Sequence, residues 1–231
     1  MDRHEGRAPA PTVNLINVAR GAMKNNNYLV TDPASGQALL VDPAWEAGKL
    51  HAALAGSDAR LVGILITHAH FDHIDLARPL ADFYNCPIWM SREEIDASGF
   101  RAPQLEAVGQ RPWNVGHMTV TPMLTPGHTP GCTCYQIGEN LFSGDVLFNE
   151  GCGMCNGTDA AHAMFDSLEM LKRTVLPHTR IFPGHTYARA PGQTFAEVLS
   201  SNAYLHFQDR HKFAAFRLRK GQSQGRLMNF A

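Results

Sequence analysis

The stretch Thr67-His68-Ala69-His70-Phe71-Asp72-His73 decides the reading of this chain. Four groups able to ligate a metal, His68, His70, Asp72 and His73, fall within six residues. They follow Leu61 to Thr67, a continuous apolar run of the kind that forms a buried strand. His68 and His70 are two apart, so an extended backbone points both imidazoles the same way. Asp72 and His73 come as the chain turns and face a second point in space. Imidazole together with carboxylate suits zinc or iron better than magnesium or calcium.

Outward from this stretch, three single ligands each close a short apolar run. His128 follows Val120 to Gly127, Asp145 follows Leu141 to Gly144, and His185 follows Ile181 to Gly184. A glycine immediately precedes each, which permits a tight turn or a close backbone approach. If these runs are strands of layered sheets, all the ligand groups meet at one sheet edge, on loops held by a rigid scaffold. Seven ligands are too many for one tetrahedral ion and suit two ions sharing a bridge.

The remaining pattern is mixed. Thr12 to Val18, Tyr28 to Thr31, Ala38 to Val41, Pro87 to Met90, Val115 to Leu124, and Arg180 to Phe182 read as strands. Asp32 to Gly36 reads as a turn, and Cys134 to Ile137 with Asn140 to Ser143 as a hairpin around Gly138. Glu46 to Ala55, Leu76 to Tyr84 and Ala161 to Val175 read as helices; in the last, Met164, Phe165, Leu168, Leu171 and Val175 recur at three- and four-residue spacing. This order implies layered sheets with helices outside, an α+β chain. A catalytic domain over residues 1–190 and a helical, basic C-terminal segment over 191–231 are expected, with the boundary near Pro191-Gly192.

The 231 residues suffice for a sizeable core. A formal net charge of -1 gives no overall pull toward nucleic acid or anionic membrane, and neither is an expected partner. The stretch MDRHEGRAPAP lacks an apolar segment of the kind found in secretory signals. The five cysteines, Cys86, Cys132, Cys134, Cys152 and Cys155, do not suggest a disulfide framework, so a cytoplasmic protein is expected. Cys152-x-x-Cys155 lacks the second half of a structural zinc site and reads as packing.

His-x-His-x-Asp-His followed by Gly-His, Gly-Asp and Gly-His, in that order over roughly residues 12–190, resembles the metallo-β-lactamase superfamily. The resemblance implies an αββα four-layer sandwich. It also implies two divalent ions, zinc first with iron or manganese as alternatives. His68, His70 and His128 would hold one ion, Asp72, His73 and His185 the other, and Asp145 would bridge them.

Gly144-Asp145-Val146-Leu147-Phe148, Gly151-Cys152-Gly153 and Gly184-His185-Thr186-Tyr187 are similar to the glyoxalase II branch, whose members hydrolyse thioesters. Glyoxalase II carries a basic residue after its Gly-Cys-Gly, where this chain has Met154. A closer similarity runs to the zinc-dependent hydrolases of trans-acyltransferase polyketide synthase clusters, through GCGMCNGTDAAHAMFDSLEMLKR (151–173), IFPGHTYARAPG (181–192) and FAAFRLRKGQ (213–222).

That resemblance implies hydrolysis of an acyl thioester by a metal-bridging hydroxide, the thioester being a small molecule or one carried on the phosphopantetheine of an acyl carrier protein. Asp145 would position the ions, and Asp72 would be ligand first and proton acceptor second. Tyr187, two residues beyond His185, is a candidate to touch substrate. Arg217, Arg219 and Lys220 are candidates for a phosphate or an acidic carrier protein. The same scaffold leaves open hydroxyacylglutathione hydrolysis, persulfide dioxygenation at a single iron, and lactone hydrolysis.

Overall fold

A computed structural model describes residues 9–219. Six strands form the first sheet in chain order: β1 (Thr12–Arg20), β2 (Met23–Asp32), β3 (Gln37–Val41), β4 (Arg60–Leu65), β5 (Ile88–Ser91) and β6 (Leu105–Val108). β1 to β3 pair antiparallel, and β3 to β6 parallel. The second sheet contains β7 (Trp113–Val115), β8 (Met118–Leu124), β9 (Thr133–Ile137), β10 (Asn140–Gly144), β11 (Arg180–Pro183) and β12 (Gln193–Thr194). It runs in the order β12-β11-β10-β9-β8-β7, with only β10 and β11 parallel.

Alternation along the strands builds the layers, because successive side chains point to opposite faces. Tyr28 and Val30 of β2, with Leu39 and Val41 of β3, face the second sheet and meet Tyr135, Phe142 and Phe182 in a core between the sheets. Phe142 and Phe182 stack with centroids 5.4 Å apart. Leu29, Ala38 and Leu40 point the other way, onto α1 (Ala47–Gly56), α3 (Ala77–Tyr84) and α4 (Arg92–Ser98); the short α2 (Phe71–Ile74) lies between α1 and α3 in sequence. Leu141 and Ile181 leave the second sheet on its outer side for α5 (Thr158–Thr174), α6 (Phe195–Ser201) and α7 (Arg210–Arg217). Three apolar cores between four layers make an αββα sandwich, as expected. Phe195, Val198, Tyr204, Leu205 and Phe213 share the core of α5, and β12 extends the second sheet. None of the helices is long and apolar enough to cross a membrane, among the described residues.

Three elements differ from the sequence reading. β2 begins at Met23, five residues before Tyr28, so Asn25, Asn26 and Asn27 lie inside a strand and are buried. The alternating run Val115 to Leu124 is a hairpin, because Gly116 takes φ +58° and turns the chain. A Cβ at Gly116 would also lie 2.3 Å from Ser35 Oγ. α4 carried no expectation. Ser91 caps it by accepting the Glu94 N–H, Glu93 and Glu94 suit its N-terminal dipole, and Gly99 ends it at φ +70°.

The turn expected at Asp32 ties the two sheets together. Asp32 accepts from Ala34 N–H at 2.9 Å, Ser35 Oγ at 2.6 Å and His117 N–H at 2.7 Å. Burial alone would raise the pKa of this carboxyl. The three bonds outweigh it and hold the pKa well below the usual carboxylate range. A depressed folded-state pKa contributes stability above the unfolded value, and that stability is lost as pH falls through about 4 toward the folded value. Asp32→Asn is therefore expected to cost about 1 kcal/mol at pH 7 and progressively less below pH 4, since water screens a turn at the sheet edge. Urea midpoints at pH 7 and pH 3 measure it, and equal losses at both would show the charge to be irrelevant.

Candidate metal centre

All seven sequence-expected ligands sit beyond the C-terminal ends of β4, β8, β10 and β11. His68 and His70 leave β4 in extended chain. α2 then begins, and helical rotation turns Asp72 and His73 toward a second point. The donor atoms of His68, His70 and His128 lie within 4.8 Å of one another, as do those of Asp72, His73 and His185. Asp145 stands between the two triads. Its Oδ1 is 3.5 Å from His73 Nε2, and its Oδ2 is 3.6 Å from His128 Nε2 and 3.3 Å from His185 Nε2.

Four of the five imidazoles are held by one nitrogen, leaving the other aimed inward. His73 Nδ1 donates to Asp42 Oδ2 at 3.0 Å, His128 Nδ1 to the Met154 carbonyl at 2.8 Å, and His185 Nδ1 to the Lys24 carbonyl at 2.9 Å. His68 Nδ1 lies 3.1 Å from Thr67 Oγ1. His70 is the exception: its Nδ1 faces inward, 2.9 Å from His128 Nε2. Anchoring of this kind fixes tautomer and ring orientation in metal sites. The inward atoms His68 Nε2, His73 Nε2 and Asp145 Oδ1 are buried without a hydrogen-bond partner. Buried nitrogens and a carboxylate oxygen left without hydrogen-bond partners are the donors a cation would satisfy, and their chemistry fits zinc.

The electrostatics agree. Burial lowers His68, and repulsion from His73 adds to it, so that ring is a neutral donor. At His185 burial opposes the charge, but the Asp145 carboxylate outweighs it and pushes the pKa up to about 9. Burial would raise Asp145; His185 and His73 overcome this and hold it well below the usual carboxylate range.

The residues that hold the ligands were missed by sequence reading. Asn25 Nδ2 donates to the Asp72 carbonyl at 2.6 Å and to Asp72 Oδ2 at 3.1 Å. Asn26 Nδ2 donates to the Pro183 carbonyl at 3.0 Å, and the Asn26 N–H to the Gly184 carbonyl at 2.8 Å. Asn27 binds the Asp42 carbonyl and the Ala44 N–H. Asp42, at φ +50°, accepts from Thr67 N–H, Thr67 Oγ1 and His73 Nδ1. It also falls within a third ligand-like group with His68 and His73, but its bonded donors make it a support for His73.

A cavity of about 780 Å³ opens over the triads. Met23, Phe71, Phe148, Met154, Tyr187 and Tyr204 give it apolar walls, and Lys24 and Arg217 bring positive charge. Tyr187 packs against Phe148 at 5.0 Å and stacks over His185. Arg217 is buried, and its Nε donates to the Gly153 carbonyl at 2.7 Å. Arg219 lies on the Phe216 ring, 3.7 Å from its centroid, away from the cavity lining. Lys220 lies outside the described residues.

The chain is 37% identical over 200 residues to PksB of Bacillus subtilis, described as a probable polyketide biosynthesis zinc-dependent hydrolase; this covers 86% of the chain and 89% of the relative. It is 38% identical over 213 residues to BaeB of Bacillus velezensis, described in the same words, covering 91% and 94%. A solved structure titled a metallo-beta-lactamase, from Staphylococcus aureus, shares the fold with a TM-score of 0.82 at 21% identity, over 93% of this chain and 69% of that one. Residues 20–185 match the family model described as "Metallo-beta-lactamase superfamily". With that match covering most of the chain and all seven ligand positions, the chain belongs to the metallo-β-lactamase superfamily.

Proposed function

We propose that this chain is a dinuclear metallohydrolase that cleaves acyl thioesters, with acyl-S-phosphopantetheine on an acyl carrier protein as its substrate class and polyketide biosynthesis as its setting. The observation that carries the reading is the pair of donor triads with the Asp145 carboxylate between them. The likeness to PksB and BaeB supports both the hydrolase activity and the setting.

In this reading His68, His70 and His128 would hold one ion, Asp72, His73 and His185 would hold the second, and Asp145 would serve both. Zinc bound there would supply a hydroxide near neutral pH and polarise the thioester carbonyl. The chain itself orients the reactants. Asn25 steadies Asp72, so that its free lone pairs can take a proton as the water reacts. Burial pushes the Tyr187 hydroxyl far up, so it stays protonated and can donate a hydrogen bond into the cavity. The leaving thiol has an ordinary pKa of about 8.5 and departs as thiolate without a dedicated acid.

The walls favour an acyl arm over glutathione. Met23, Phe71 and Met154 are each more than a third exposed at the cavity mouth, where an apolar chain would cover them. Lys24 and Arg217 bring positive charge to the same cavity, which supports a phosphate-bearing arm.

Metal analysis of the protein purified without added metal, paired with thiol release from an acyl-pantetheine thioester, tests the proposal. Two equivalents of zinc are expected, with thiol release faster than from a hydroxyacylglutathione and reduced about a hundredfold or more in His70→Ala. A single iron per chain, with oxygen uptake on a persulfide and no thiol release, would overturn it in favour of dioxygenase chemistry.

A further inference from the structure

Glu94 is a buried carboxylate, 2% exposed, outside the ligand set. It stands in the first turn of α4, where Ser91 fixes the backbone by accepting the Glu94 N–H at 3.1 Å. Its two oxygens reach two distant segments. Oε1 accepts from the Ala69 N–H at 2.7 Å. Oε2 accepts from Thr129 Oγ1 at 2.6 Å and from the Gly131 N–H at 3.1 Å. Ala69 lies between His68 and His70, and Thr129 directly follows His128. One side chain therefore grips both segments that carry the three-histidine triad.

The grip is tight on its far side as well. Ser91 Oγ donates to the Gly131 carbonyl at 2.6 Å, and a Cβ on Gly131 would lie 2.0 Å from the Glu94 nitrogen. The 128–131 loop is thus pressed against the start of α4 with no room for a side chain. Burying a carboxylate costs several kcal/mol unless donors surround it. Here three donors converge on two oxygens, an arrangement a neutral amide cannot reproduce. A glutamine could direct its oxygen to Thr129 and Gly131, but its NH2 would then face the Ala69 N–H, donor against donor.

We infer that Glu94 is a positioning residue for the His68, His70 and His128 triad, setting the spacing of its two segments and so the affinity of the ion held there. The inference rests on the two-ion reading above. Asp72, His73 and His185 receive no contact from Glu94 and are held by Asn25, Asp42 and Lys24 instead. Loss of Glu94 should therefore unbalance the two sites.

Competition with a chromogenic chelator, titrating zinc or cobalt(II) into metal-free protein, resolves the two equivalents. In Glu94→Gln one equivalent is expected to weaken about 10- to 100-fold while the other keeps its wild-type affinity. Thr129→Val removes one donor and spares every backbone bond; it should weaken the same equivalent, and Thr129→Ser should restore it. This pair carries the test if Glu94→Gln does not fold. Two equivalents of unchanged affinity in these variants, even with a lowered melting temperature, would overturn the inference and leave the two-ion reading standing. Fewer than two equivalents in the wild-type protein would overturn that reading and the inference with it.

Discussion

Asp145→Ala is expected to lower kcat/KM for thioester hydrolysis by about a thousandfold or more, and to take the tightly bound metal below two equivalents. Asp145 reaches into both triads, lying 3.3 to 3.6 Å from the inward nitrogens of His73, His128 and His185. In the proposed centre its removal would delete the shared ligand, and it takes away the charge that offsets His185. Asp145→Asn separates these roles, since it keeps the shape and loses the charge. The asparagine variant should hold a melting temperature close to the wild type when metal-free, yet fail to recover two-ion loading. Thiol release and elemental analysis on the same preparations decide it. Activity within tenfold of wild type, with two ions retained, would remove Asp145 from the bridging position.

Gly184→Ala is expected to be nearly as damaging, although it adds only one methyl group. A Cβ at this position would lie 2.5 Å from Asp145 Oδ1 and 2.6 Å from His73 Cε1. Both partners are buried and His73 is held by Asp42, which leaves little room to yield, and Gly184 is itself fixed by bonds to Gly144 and Asn26. Overpacking of this kind costs about 1–3 kcal/mol. The loss falls on the side chains that would bind metal, so affinity should drop by about tenfold or more, with activity following. A thermal melt with and without added zinc checks it. The stabilisation conferred by zinc should shrink or vanish, whereas an undiminished zinc shift would show that the loop accommodates the methyl group elsewhere.

The glycines before His128, Asp145 and His185 illustrate how far sequence reading reaches. Their presence announced tight approaches, and close approach is what each provides, but against a different neighbour: Met164 for Gly127, Thr67 for Gly144, and Asp145 with His73 for Gly184. The seven candidate ligands were legible because each lies in a short local motif at the end of an apolar run. Their supports were not. Asn25 to Asn27 are polar residues of a kind common in turns, and such residues enter a buried strand only when distant backbone groups satisfy their amides. Those partners, Asp72, Pro183 and Asp42, are defined by the fold and not by spacing. Glu94 was invisible for the same reason, sitting in an ordinary amphipathic segment with partners 25 to 37 residues away. The alternation through Val115 to Leu124 misled because it belongs to β8 alone, and Val115 pairs with Met118 across a two-residue turn that shifts the phase.

The division of ligands between the sheets has a consequence for how the chain reaches its native state. Residues up to β6 contribute His68, His70, Asp72 and His73, and residues from β8 onward contribute His128, Asp145 and His185. Each triad draws members from both portions, so neither portion alone contains a complete set. On a ribosome, the earlier portion would emerge first with four candidate ligands and no closed chelate. Long-range pairing of this kind is slow to form. Ion capture would therefore report the final docking of the two sheets, making metal uptake a clock for the last folding event.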